Sequence, residues 1–157
     1  MEESLLTSKF TLVPAQFFDE ARSREALSEV AKLDESDTVS HIAIPQYAAV
    51  LVYVSGGEDL LPEMFYLIRD LPRCGEYNKI LCSLTGGRLF LAIAQGKSLL
   101  LANSYPAADF TTAEYYIFLA LKSLQLNPEI STISWRSPLS ESDEISLCRY
   151  FKAVGRL

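Results

Sequence analysis

The sharpest pattern of apolar and polar positions runs from residue 79 to residue 126. Three short runs, Lys79–Leu84, Arg88–Gln95 and Ser98–Ser104, read as strands. Gly86-Gly87 and Gly96-Lys97 separate them, where hairpin turns require positive φ. A helix is predicted next. Thr111 and Glu114 have capping-box spacing, and Phe110 and Tyr115 stand at the staple positions. Ala113, Tyr116, Ile117, Ala120, Leu121 and Leu124 form its apolar face, and Asn127-Pro128 stops it. Ser131–Trp135 reads as a strand that returns parallel to the sheet if the crossover is right-handed. Ser140 with Asp143 opens a last helix, with Leu147, Cys148, Phe151 and Val154 inward.

The first half is less regular. Residues 8–14 predict a strand stopped by Pro14, or Pro14 opens a helical turn holding Phe17 and Phe18. Ser23 is the expected N-cap of a helix through Leu33, with Ala26, Leu27 and Val30 at helical spacing. Asp34-Glu35-Ser36-Asp37 reads as a solvated loop. Val39–Ile44 and Tyr47–Val54 are predicted strands joined at Pro45-Gln46. The second is apolar throughout, as a strand covered on both faces should be. Ser55-Gly56-Gly57 turns the chain. Leu60, Met64, Leu67, Ile68 and Leu71 then mark one helical stripe, with Pro62 in or near the first turn. This strand–turn–helix reads as half of a βαβ unit. The break at residues 71–76, rich in Pro and Gly, divides the chain into a first lobe at 1–74 and a second at 75–157.

Length and composition narrow the class. At 157 residues, one domain or two small lobes are expected, and 49% hydrophobic with 22% charged residues is ordinary globular composition. A net charge of −6 argues against a general nucleic-acid binder. Cys74, Cys82 and Cys148 are too few and too scattered for a disulfide framework. With one histidine, they make a zinc site improbable on composition. Met1-Glu-Glu-Ser lacks the form of a signal peptide, and no apolar run reaches the ~18–20 residues of a membrane span. A cytoplasmic protein is expected.

Two stretches carry more than pattern. One is Lys9-Phe-Thr-Leu-Val-Pro-Ala-Gln-Phe-Phe18. The other is Gly96-Lys-Ser-Leu-Leu-Leu-Ala-Asn-Ser-Tyr105, followed by Tyr115-Tyr116 and by Leu126-Asn-Pro128. From about Phe10 to about Val154, the chain resembles an uncharacterised bacterial family, a domain of unknown function similar in fold to actin-like ATPases. The order of three strands then a helix also recurs in the ribonuclease H-like lobe of those enzymes. The resemblance implies an α/β fold: a ribonuclease H-like mixed sheet with flanking helices and an abbreviated first lobe. Family members are longer and carry a further strand set before the Phe-Thr-Leu-Val-Pro segment. The resemblance brings no reaction with it.

In actin-like ATPases, a glycine turn after the first strand of each lobe holds phosphate through backbone N–H groups, and a nearby carboxylate positions metal or water. Thr85, Gly86 and Gly87 stand at such a turn here, so they are the candidate nucleotide-binding residues. Ser83 or a neighbour replaces the expected acid, which leaves a metal poorly held and makes a plain hairpin the simpler reading. Gln95-Gly96-Lys97-Ser98 mimics the end of a P-loop. However, Leu91 stands where the pattern needs glycine, and a strand follows instead of a helix. His41 has no orienting partner in sequence and reads as structural. No serine lies in Gly-x-Ser-x-Gly. Cys82 and Cys148 read as core fillers; Cys74, near Arg73, is the cysteine with a case for exposure, and without a partner histidine nearby in sequence it reads as inert. Asp34, Glu35 and Asp37, like Glu141, Asp143 and Glu144, lie in a loop and at a helix start rather than on central strands. That placement weakens a two-metal nuclease reading.

The aromatic residues exceed what the core stripes require. Tyr115, Trp135 and Tyr150 are the candidate interface residues, since Tyr and Trp favour protein contacts; the alternative is that they only roof the sheet. The expectation is therefore a non-catalytic binding or scaffold protein without cofactor, acting through a protein partner or self-association. The alternative is a nucleotide-binding protein with weak or no hydrolysis.

Overall fold

The computed structural model describes residues 3–56 and 59–157. Gly57 of the expected turn and the acidic start at Met1 and Glu2 lie outside the described residues. The chain forms two units, Met1–Tyr66 and Leu67–Leu157.

The first unit is built on strands β1 (Phe10–Pro14), β2 (Thr38–Ile44) and β3 (Ala49–Ser55), with helix α1 (Ser23–Ser28) between β1 and β2. The order is β1-β3-β2 and both pairings are antiparallel, Phe10 opposite Tyr53 and Thr38 opposite Ser55. The unbroken apolar run at 50–53 makes β3 the centre, and all four of those residues are buried. Val50 and Val52 pack with Leu27 of α1, flanked by Val13, Phe18 and Val39. Helix α1 is shorter than its spacing suggests. It ends at Ser28, and Val30 is exposed. Ser23 is the first helical residue, not the cap, and its hydroxyl donates back to the Glu20 carbonyl at 2.8 Å. The acidic loop is ordered by Asp37, which accepts from the Asp34 N–H at 2.8 Å and from Lys9 Nζ at 3.1 Å.

Helix α2 (Glu63–Asp70) carries Met64, Leu67 and Ile68, all fully buried, along the expected stripe. The second unit then forms one five-stranded sheet. It contains β4 (Asn78–Thr85), β5 (Arg88–Gln95), β6 (Ser98–Pro106), helix α3 (Phe110–Ser123), β7 (Thr132–Trp135), helix α4 (Glu141–Cys148) and β8 (Ala153–Arg156). The order is β6-β5-β4-β7-β8. The pairings β6–β5 and β5–β4 are antiparallel, while β4–β7 and β7–β8 are parallel. Strand β3 belongs to the other sheet and has antiparallel neighbours, so β3 and α2 are not half of a βαβ unit. Ala113, Ile117 and Leu121 of α3, with Leu147 of α4 and Phe151, share one cluster with Ile80, Cys82, Leu91 and Ile133. Both helices therefore lie on the same sheet face.

Four expectations need correcting here. The last helix does not reach Val154; residues 153–156 form β8 instead. Its close approach to β7 suits glycine, because a Cβ at Gly155 would sit 3.0 Å from Ser134 Oγ. Cys148 is exposed, one position past Leu147, which takes the inward place. Cys74 is buried rather than exposed, and burial raises its thiol pKa. Asp109, not Thr111, caps α3 by accepting the Thr112 N–H at 2.8 Å. Glu114 does not close a box but accepts from the Ser146 hydroxyl at 2.9 Å.

Candidate functional site

Thr85, Gly86 and Gly87 lie at the tip of the β4–β5 hairpin, with Thr85 opposite Arg88. Gly86 has φ 60 and Gly87 φ 73, so both central residues occupy the left-handed region that a tight two-residue turn needs. Both are exposed, and a Cβ placed on Gly87 would meet nothing within 4 Å. An anion could approach this backbone. The Gly87 carbonyl accepts from the Ala107 N–H at 2.9 Å, which ties the tip to the end of β6.

Behind the tip, the strand ends are cross-linked by hydroxyl and backbone groups. Ser137 Oγ accepts from the Leu84 N–H at 2.9 Å, and the Arg136 N–H donates to the Cys82 carbonyl at 2.8 Å. Ser83 is buried. Among the described residues, the side chains gathered here supply hydroxyls and, at the buried Arg136, a cation. The N-terminus of α3 is already served by Asp109, whose carboxyl the Thr112 N–H holds below the usual carboxylate range. Among the described residues, no cluster of three or more His, Cys, Asp or Glu side chains could hold a metal ion.

The remaining candidates fall apart in space. Gln95-Gly96-Lys97-Ser98 closes the β5–β6 hairpin, with Gly96 at φ 57. His41 is exposed on β2, its ring 4.9 Å from Phe18. Glu144 is taken up by Arg156 at 2.9 Å. A cavity of about 390 Å³ opens beside α1, between Phe17, Phe18 and Arg22, but Arg22 is paired with Glu25 at 3.0 Å.

The aromatic candidates separate. Trp135 is 1% exposed and packs 5.6 Å from Phe110, so it is a core residue and not part of a contact surface. Tyr115 is 61% exposed and Tyr150 49%. Both are held in place from below. Tyr115 meets Tyr116 edge-on at 5.4 Å, and Tyr116 stacks on Tyr105 at 4.8 Å. Tyr150 meets Phe118 edge-on at 5.0 Å, and Phe118 stacks on Phe151 at 5.7 Å. Leu119 and Ile145 are also about half exposed, at 49% and 53%. Reasoning from sequence missed this pair, although both lie off the buried stripes of their helices.

A family profile described as "Protein of unknown function (DUF3822)" matches residues 63–154. Among solved structures, the chain is similar to a protein from Bacteroides thetaiotaomicron VPI-5482 described as having an actin-like ATPase fold and unknown function. The TM-score is 0.79 at 17% identity, covering 97% of this chain and 66% of that one. The likeness shows the fold: a mixed α/β architecture of the actin-like ATPase type, with the chain spanning just under two thirds of its neighbour's length. No curated protein matches the chain. Among the described residues, no helix is long and apolar enough to cross a membrane.

Proposed function

The chain belongs to the DUF3822 family of proteins of unknown function, and on that premise we propose that it is a cytoplasmic binding or scaffold protein using an actin-like framework without catalysis. The observation that carries this reading is the pair of half-exposed tyrosines, Tyr115 and Tyr150, each braced by a buried or half-buried ring. Rings fixed before contact lose little entropy on binding, which is why such residues anchor protein interfaces. Three unpaired cysteines and the acidic balance suit a reducing compartment and a protein partner rather than nucleic acid.

The double variant Tyr115→Ala/Tyr150→Ala should fold normally and lose the proteins that co-purify with the tagged wild type. Unchanged co-purification would remove the tyrosines from the argument. The second reading is nucleotide binding without efficient hydrolysis, with phosphate on the backbone at Thr85, Gly86 and Gly87. The open positive-φ tip favours it. Thermal unfolding with Mg·ATP separates the two. A ligand at 100 times its dissociation constant stabilises by about 2.7 kcal/mol, so an upward shift of several degrees supports the second reading and no shift the first.

A further inference from the structure

Strands β6, β4, β7 and β8 all run in one direction, because β6 and β4 are each antiparallel to β5, and β7 and β8 continue parallel to β4. Helix α3 returns from β6 to β7 and α4 from β7 to β8, so the two helices point the same way. Two contacts agree: Ser146 bonds Glu114, and Tyr150, in the turn just past the end of α4, meets Phe118, four residues further along α3. With Ile117 and Leu147 facing the sheet, Tyr115, Leu119 and Ile145 come to the outer side of the pair.

Charge on this face is sorted by end. Lys122 and Arg149 stand at the carboxyl ends of α3 and α4, and Asp109 and Glu141 at the amino ends. Lys122, Arg149 and Glu141 are exposed, and no ion pair engages them among the described residues. The face is thus apolar in the middle, basic at one end and acidic at the other.

Such a face is complementary to itself after a half-turn about an axis lying in its plane and crossing the helices. We propose that a second copy of this chain docks there, α3 against α3 and α4 against α4, antiparallel. Arg149 of one copy then meets Glu141 of the other, Lys122 lies toward the other copy's Asp109 end, and the two apolar centres face each other. The helix dipoles oppose in the same arrangement, which adds to the attraction. A closed two-fold interface of this kind is the commonest homo-oligomer. The inference rests on reading this helix face as a contact surface and adds the identity of the partner.

The patch is small. Helix α3 is about 21 Å long and its neighbour lies roughly 10 Å away, so each copy offers about half the ~800 Å² of a standard interface. A dissociation constant on the order of 10–100 µM is expected.

Sedimentation equilibrium at low ionic strength tests this, with circular dichroism as the folding check. Arg149→Glu and Glu141→Lys should each weaken self-association at least about tenfold, because like charges then meet at both ends. An equimolar mixture of the two variants should recover wild-type affinity to within about threefold, since opposite charges face again at both ends. Leu119→Arg, at the apolar centre, should be monomeric. A wild type that stays monomeric to about 300 µM overturns the proposal. So does a dimer that Leu119→Arg leaves intact, or a mixture no tighter than either variant alone. A monomeric wild type that still loses its co-purifying proteins in the tyrosine variant would defeat self-association and spare the binding reading. Stabilisation by Mg·ATP would defeat the binding reading directly.

Discussion

The two sheets of this molecule are stabilised to different depths. In the five-stranded unit, α3 is fixed at four buried positions, Ala113, Ile117, Ala120 and Leu121, above a layer that includes Ile80, Leu91 and Ile133. In the three-stranded unit, α1 has six residues and buries Ser23 and Leu27. An isolated helix of that length is not stable, so α1 exists only as long as Leu27 holds it on Val50 and Val52. A contact surface is precise only where the residues beneath it are anchored. The exposed tyrosines sit on the deeply anchored side, where a braced ring keeps its position.

The largest difference between the two units should appear when the same three carbons are removed from each core. Leu91 and Leu27 are both fully buried. Leu91→Ala should cost about 3–5 kcal/mol, because a close-packed sheet and helix layer collapses poorly around the void. Leu27→Ala should cost about 2–3 kcal/mol, since α1 can shift or come away. Urea unfolding gives both values, and amide exchange should show protection lost at residues 23–28 in the second variant. Equal costs would mean that α1 is as firmly anchored as α3.

A smaller effect tests the hairpin tip. Gly87→Ala should cost about 1 kcal/mol from its φ of 73 alone, as a Cβ there meets no neighbour. Gly75→Ala is the control: its φ is not positive and its Cβ also meets nothing within 4 Å. That substitution should be neutral or stabilise by up to about 1 kcal/mol through the unfolded chain. If both glycines respond alike, backbone conformation is not what Gly87 contributes.

How far the sequence could be read follows the same division. Strands β4, β5 and β6 and helix α3 were legible because turn glycines, strand pattern and helical stripe all agree. The end of α1 was not, because Val30 keeps helical spacing while remaining exposed. Strand β8 was hidden by its length of four residues, too short for alternation to outweigh the stripe running on from α4. Trp135 is buried through contact with Phe110, 25 positions earlier, which no local pattern reports. For the candidate surface, an excess of aromatics pointed to Tyr115 and Tyr150. Leu119 and Ile145 join them only because two parallel crossovers lay α3 and α4 side by side.

The finest test concerns which residue starts α3. Thr111 and Glu114 have the spacing of a capping box, yet Asp109 accepts the Thr112 N–H and Glu114 turns to Ser146. The Asp109 carboxyl has a folded pKa below its reference value of 3.8, first through the Thr112 backbone N–H. A lowered folded pKa means that the ionised form is favoured by folding. Its contribution is therefore complete above the unfolded value and fades as pH falls through the folded one. Asp109→Ala should lower the melting temperature at pH 7, and the gap to wild type should narrow as pH drops below about 4. Thr111→Ala, on an exposed side chain, should stay within about 0.5 kcal/mol of wild type at either pH. If Thr111→Ala proves the more damaging change, the helix begins two residues later, and the staple and box read from the sequence regain their place.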